Sequence, residues 1–330
     1  MNFQLRGINH SNHNFNIPTI DGTEDCLESL RKAGIIHKMV RQDMKKMLKP
    51  GMKLYDLACF INDKIRYYIN YNNKSKQYND GIAFPPILSK SNVIAHYSPS
   101  PNDNIILNYN DNLKIDFGVH VNGWIVDSAF TIYFNSEYYI LNLATKDALD
   151  SALKIVGIDT MIDDVSDIIS EVIESYEIVY NDDVHQLKVI DNIGGHSIGQ
   201  YNIHNGVIIP NKKKYNNKSQ RFNKGIYAIE PFASILDSST FNLYDCNNYR
   251  IKNEYKDECK DLYEKFNSMI FSDSHLAHYN INNIKYYTDL NMMYMYPTIC
   301  GNSDDMSCQY EHTIYINDDK KEIISKSYDY

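Results

Sequence analysis

The segment from Lys114 to Thr131, KIDFGVHVNGWIVDSAFT, constrains the fold of this chain more than any other. Asn122-Gly123 lies between two apolar-alternating runs, and a two-residue type I′ turn needs positive φ at both central positions, which this pair supplies. Such a turn fixes the register: Val121 faces Trp124, Val119 faces Val126, Phe117 faces Ser128 and Ile115 faces Phe130. Period-two alternation then puts Ile115, Phe117, Val119, Val121, Trp124, Val126 and Phe130 on one face, toward a core. On the other face Asp127 lies across from Gly118 and diagonally beside Asp116, and diagonal neighbours sit about 7 to 8 Å apart at Cβ. Two carboxylates leaning inward from there can hold a pair of metal ions about 3.5 to 4 Å apart. Gly118 is expected to leave them room. An acidic solvent-facing side is the ordinary alternative, weakened because Gly118 and Ala129 are small rather than charged.

Around the hairpin, helical and strand spacing are mixed without strict alternation, which predicts an α+β arrangement rather than a doubly wound parallel sheet. Residues 1–22 read as an irregular leader. A helix starts near Thr23, with Glu24 and Asp25 in its first turn, Leu27, Leu30, Gly34, Met39 and Val40 near one face, and Lys49-Pro50-Gly51 as its stop. Leu54, Leu57, Ala58, Ile61, Ile65, Tyr68 and Ile69 mark a second helix, followed by an Asn-rich loop over 70–80. Residues 82–134 read as strands and tight turns, and 142–156 and 162–176 as helices. Short strands are expected around 185–193, 203–209 and 225–233, helix over 254–279, and a last strand near 310–316.

Further acids and histidines occur in unusual settings. GGHSIGQYNIH, residues 194–204, has paired glycines that permit tight backbone packing around His196, and His204 follows eight residues later. Glu230 stands inside IYAIEPFA and Glu311 inside QYEHTIYI, both apolar strand-like runs. An unpaired buried carboxylate costs several kcal/mol or neutralises itself. Four carboxylates and one imidazole make sense together when cations hold them.

The formal net charge of -9 disfavours nucleic acid and anionic membrane, because binding a polyanion relies on Lys and Arg displacing counterions. The local run Lys212, Lys213, Lys214, Lys218, Arg221 and Lys224 reads as a solvated loop. The 28 tyrosines and the Asn-rich stretches read as compositional bias. Six scattered cysteines with no C-x-x-C pair suit reduced thiols in the cytoplasm. No apolar run reaches the length of a membrane span, and the polar opening residues lack a signal-peptide pattern.

KIDFG, IVDSAF, GHSIGQYNIH, AIEPF and EHTI, in this order, resemble methionine aminopeptidases of the pita-bread (creatinase/aminopeptidase) fold, and HYSP at His96–Pro99 resembles that family's histidine segment. The likeness runs from about Phe84 to Tyr330. The long stretch between Glu230 and Glu311 looks like a core strand interrupted by a helical insertion, the mark of type 2 enzymes. The resemblance implies a pseudo-twofold antiparallel sheet covered by helices: one catalytic domain over 23–330, with 234–300 as the helical insertion subdomain. It implies two divalent ions, Mn, Fe, Co or Zn. Asp116 would chelate one, His196 and Glu230 the other, and Asp127 and Glu311 would bridge them. A shared, activated water would attack the peptide bond after an N-terminal methionine. Glu230 would move the proton, His204 would polarise the carbonyl, and His96 would contact the scissile nitrogen. Phe84, Ile203 and Tyr296 would line the methionine pocket with His96 at its rim, where fumagillin-class epoxides would attach. Implied partners are the N-terminal methionyl peptides of nascent proteins, met by a monomer.

Departures from the family pattern are Gly194, where type 2 relatives commonly carry Asn, and Asn248, where many carry a histidine near the pocket. Neither is a metal ligand, so altered substrate or inhibitor affinity is the expectation. The leader lacks the lysine-rich and acidic blocks of many animal and fungal relatives, so ribosome association through them is not expected. Two rivals remain open: an X-Pro aminopeptidase or prolidase on the same ligand set, and a binding protein of the same fold that has lost its metal ligands. All five ligand positions are intact here, and the acidic charge disfavours RNA.

Overall fold

The computed structural model describes residues 26–72, 80–213, 220–243 and 245–330. The expected leader, the helix start at Thr23, most of the Asn-rich loop, and Lys214 and Lys218 lie outside them. Two helices, α1 (Cys26–Met47) and α2 (Leu54–Asn72), precede strands β1 (Asp80–Lys90), β2 (Val93–Ala95), β3 (Asn112–Val121) and β4 (Trp124–Tyr133). A second helix pair, α3 (Tyr139–Ile155) and α4 (Ile162–Glu174), precedes β5 (Glu177–Tyr180), β6 (Asp183–Gln186), β7 (Lys188–Val189), β8 (Gly194–Ile198), β9 (Ile208–Pro210), β10 (Gly225–Ile229) and β11 (Phe232–Ser234). The chain repeats itself in outline: two helices, then antiparallel strands.

The first sheet has the order β1-β3-β4. Its hairpin register is the expected one at all four named pairs, and Asn122 and Gly123 take φ of 51° and 75°. Every residue of β3 is buried, so the carboxylate face also meets protein rather than water. α1 packs on this hairpin through Leu30, Ala33, Ile36, Val40 and Met44, while polar Lys32, His37 and Arg41 are buried in the same helix. The His37 ring lies flat on Phe117 at 3.9 Å between centroids, and its Nε2 is 3.0 Å from the Phe117 carbonyl oxygen. In α4 the apolar residues Ile162, Val165, Ile169 and Ile173 recur at helical spacing on the buried face.

The rest of the chain supplies β12 (Phe241–Asn242), β13 (Asn248–Ile251), α5 (Lys260–Phe266), β14 (Phe271–Ser272), α6 (Asp273–His278), α7 (Ile284–Asp289), β15 (Met293–Met295), β16 (Ile299–Cys300), β17 (Ser307–Gln309), β18 (His312–Ile316) and β19 (Lys321–Ile323). The second large sheet runs β19-β18-β10-β8-β9. It meets the first where β4 and β18 lie side by side: the Thr313 hydroxyl donates to the Asp127 carbonyl at 2.6 Å and accepts from the Asp127 N–H at 2.8 Å, and the Glu311 N–H donates to the Ala129 carbonyl at 2.8 Å.

Three sequence expectations need correction. The 203–209 strand begins only at Ile208, while GGHSI forms the paired strand β8. Residues 254–279 are not one helix: a 3-10 turn, two short helices and β14 share them. The reason is a separate small core, in which β13, β14 and β15 form a sheet and Tyr249, Ile251, Leu262, Phe271 and Met293 are buried together. Gly118 does not make room for the carboxylates: a Cβ there would lie 2.3 Å from Cε1 of Phe84, so the space belongs to that ring.

In the described part of the basic run Lys212 pairs with Glu174 at 2.6 Å and Lys213 with Asp167 at 3.6 Å, while Arg221 reaches the Asp159 carbonyl. No disulfide joins any of the six cysteines, and among the described residues no helix is long and apolar enough to cross a membrane.

Candidate metal centre

Asp116, Asp127, His196, Glu230 and Glu311 are all buried and converge on one place between the two sheets. β3 and β4 deliver the aspartates from their diagonal positions. β8 delivers His196, and its glycines matter here: a Cβ on Gly195 would lie 2.3 Å from the Ala228 carbonyl oxygen, and one on Gly194 would lie 2.4 Å from that of Ile209. Only bare backbone lets β8 sit this close to β9 and β10. The two glutamates occupy breaks in pairing. Glu230 separates β10 from β11, and Glu311 separates β17 from β18. Because Ile229 pairs with His312, the breaks fall side by side and both carboxyls leave the sheet at one point.

His196 Nε2 lies 3.5 Å from Asp127 Oδ2 and 3.5 Å from Glu230 Oε1. Ligand atoms of Asp127, His196 and Glu311 come within 4.8 Å of one another. Gln309 Nε2 is 3.4 Å from both Asp116 Oδ2 and Glu230 Oε2, closing the ring on the remaining side. Crowding four carboxyls out of water has the expected electrostatic result. Burial first, then the charge of Asp127, pushes Asp116, Glu230 and Glu311 well above the usual carboxylate range. Asp116 Oδ1, Asp127 Oδ1 and both oxygens of Glu311 are buried with no hydrogen-bond partner.

Orphaned carboxylate oxygens of this kind are costly in a protein interior and are satisfied by cations. Hard oxygen donors with one imidazole are a ligand set for Mn, Fe, Co or Zn, and four carboxylates balance two divalent charges. The residues present fit a divalent metal centre.

A cavity of about 480 Å³ opens from this cage. Its lining includes Phe84, His96, Ile203, His204, Asn248 and Tyr296, so every candidate pocket residue read from the sequence reaches it, as do Gly194 and the candidate ligands Asp116, Asp127, His196 and Glu230. The His204 ring is 4.5 Å from that of His196, and Tyr296 stands 6.0 Å from both His204 and His96. His96 is held at φ 66°, a left-handed conformation that is uncommon away from glycine and clusters at functional sites. Asn248 donates to the His96 carbonyl at 2.8 Å, and the Pro297 carbonyl oxygen lies 3.2 Å from His96 Nδ1. His204 opens to solvent at the cavity mouth but is crowded by protein around its ring. That crowding, then the neighbouring His196, His96 and Arg250, holds it well below the usual imidazole value. Burial lowers His96 in the same direction. Both rings are therefore neutral at pH 7 and each carries one N–H.

Gln309 and Thr313 were not among the residues read from the sequence, although both flank Glu311. Period-two spacing puts Gln309, Glu311 and Thr313 on one face of a strand, and that was the available signal.

The profile of metallopeptidase family M24 matches residues 28–318. A methionine aminopeptidase 2 of Komagataella phaffii is 34% identical over 319 residues, which cover 91% of this chain and 70% of that protein. A solved methionine aminopeptidase from Thermotoga maritima superposes with a TM-score of 0.63 at 19% identity, over 94% of this chain and 100% of that one. A thermophilic Arx1 superposes with a TM-score of 0.77 at 15% identity, over 92% and 91%. These two structural likenesses speak to the fold, which is the expected pita-bread arrangement.

Proposed function

This chain belongs to metallopeptidase family M24, and from that premise we propose that it is a type 2 methionyl aminopeptidase, a metal-dependent hydrolase that removes the N-terminal methionine of proteins and peptides. The observation that carries the proposal is the meeting of four carboxyls and one imidazole in one buried cage, with both carboxylate oxygens of Glu311 left without a hydrogen-bond partner. Asp116 would hold one ion, His196 and Glu230 a second, and Asp127 and Glu311 both. Bound there, divalent ions supply Lewis acidity, which brings the pKa of water down towards about 7 and polarises a carbonyl.

The protein's own groups do the rest. Glu230 stands 3.5 Å from His196 with its proton affinity raised by burial, which suits a group that takes a proton from the attacking water and passes it to the leaving amine. Neutral His204, next to His196, donates its N–H to the carbonyl oxygen as negative charge develops there. His96, fixed by Pro297 and Asn248, faces the scissile nitrogen. Phe84, Ile203 and Tyr296 receive the methionine side chain, since a polarisable thioether packs well on aromatic and aliphatic walls. The substrate amine lies on the Asp116 side of the cage, which restricts cleavage to a chain's first residue. We assign residues 234–300 to the type 2 insertion, and six cysteines without a disulfide suit a cytoplasmic enzyme.

The decisive experiment strips the protein with chelator, reloads it with Mn²⁺, Fe²⁺, Co²⁺ or Zn²⁺, and measures bound metal and hydrolysis of a Met-Ala-Ser peptide. About two ions per chain and release of free methionine are expected. No bound metal and no turnover after reloading would sink the proposal, and turnover of Ala-Pro but not Met-Gly peptides would move it to an X-Pro enzyme.

A further inference from the structure

Behind the cage, on the side away from the cavity, a second buried polar group has no place in the chemistry above. The Tyr330 ring is buried, stacked on His312 at 4.6 Å between centroids and 8° between planes, with the Arg41 guanidinium 4.3 Å from its centre. Arg41 is itself fully buried and grips Asp329 with two bonds, of 2.7 and 2.8 Å. Lys45 adds a third bond to the same carboxylate at 2.8 Å.

The direction of the hydrogen bonds can be worked out. Ser128 Oγ donates its single proton to the Glu311 carbonyl at 2.8 Å. It therefore has only lone pairs left for the Tyr330 hydroxyl, 2.7 Å away, so Tyr330 is the donor in that contact. Arg41 Nη1, which can only donate, reaches the Tyr330 oxygen at 3.3 Å. A one-way chain results, from a permanent cation through Tyr330 and Ser128 to the backbone of Glu311. Ser128 is also the residue next to Asp127.

We infer that Tyr330 and Ser128 are positioning residues for the metal centre, which hold the backbones of the two bridging carboxylates, Asp127 and Glu311, at their ligating separation. The inference rests on the reading of the cage as a dinuclear site. Its physical basis is crowding: without cations two carboxyls buried side by side are unfavourable, and Asp127 Oδ1 and both Glu311 oxygens have no hydrogen-bond partner to hold them in place. Thr313, bonded to both backbone atoms of Asp127, restrains one side of the junction. The Arg41–Tyr330–Ser128 chain restrains the other, and its charge-assisted origin makes each link stronger. Outer partners of metal ligands act in this way, and removing one typically weakens metal binding by about 10- to 100-fold.

The test is Mn²⁺ titration calorimetry on chelator-treated full-length protein, comparing the unsubstituted chain with Tyr330→Phe, Ser128→Ala and the double variant. Tyr330→Phe keeps the stacked ring and Ser128→Ala removes one oxygen atom, so both are expected to fold. Either single change should raise the Mn²⁺ dissociation constant about tenfold, and the double variant should add little, because both break one chain. Melting with and without Mn²⁺ gives the second readout: the upward shift produced by Mn²⁺ should shrink in each variant. Dissociation constants within twofold of the unsubstituted protein, with melting lowered equally in the two conditions, would show a purely structural role and overturn the inference. An unsubstituted protein that takes up no Mn²⁺ takes down the dinuclear reading and this inference together.

Discussion

His204 and Glu311 show how much the setting of one residue decides. His204 is neutral and sits against His196, so on the proposed mechanism replacing it with alanine removes a donor to the developing oxyanion and leaves the candidate ligands in place. The expected result is a fall in kcat of about 10²- to 10³-fold, with bound metal unchanged by elemental analysis. Glu311→Gln should instead lower bound metal itself. The protonation of the cage gives a pH signature. In metal-free protein Asp116, Glu230 and Glu311 have raised folded-state values, whereas unfolded Asp and Glu titrate near about 4. Their stabilisation is complete below that pH and drains away as pH rises through the folded values. Melting of the chelated protein should therefore fall from pH 5 to pH 8 and be restored by Mn²⁺; a flat or rising curve would contradict the cage electrostatics. Asp329, held low by Arg41 and Lys45, acts in the opposite sense and only as pH drops below about 4, outside that window. At this scale the convergence of the five candidate ligands was legible in the sequence because acids inside apolar runs are conspicuous. His37 and Arg41 were not, since a polar residue on a helix gives no sign of being buried until its partner is known.

Among the elements, the β3–β4 hairpin was the most legible, because Asn122-Gly123 admits one turn type and that turn admits one register. Strand β8 was hidden by its own requirement: a strand squeezed between two neighbours needs glycine, and glycine reads as a loop. The stretch 254–279 was misread as one helix for a different reason, since its short helices and strand are each too brief for periodicity and are stabilised by a core of their own. Gly118 yields a prediction at this scale. Adding even a methyl would press on the Phe84 ring at 2.3 Å and on the Ala83 Cβ at 2.9 Å. Gly118→Ala should cost about 1 to 3 kcal/mol and displace Phe84 into the pocket. A raised KM for methionyl peptides at unchanged metal content is the expected kinetic result, and an unchanged KM would show that Phe84 does not line the methionine site.

Across the whole molecule, the candidate ligands come from both sheets, and the sheets meet along β4 and β18. Cations that bind only this assembled arrangement stabilise it by mass action, by about 2.7 kcal/mol at a hundredfold excess over the dissociation constant. Calorimetric melting should therefore rise with Mn²⁺ concentration without a plateau at one equivalent. The separation of Asp116 from Glu311 along the chain has a kinetic consequence as well. Loop-closure entropy delays contacts between distant segments, so the chelating geometry arises only after the two halves have docked. Refolding speed should then be indifferent to Mn²⁺, while the rate of unfolding drops in its presence. Ions would act as a latch on the finished molecule, never as a template for building it.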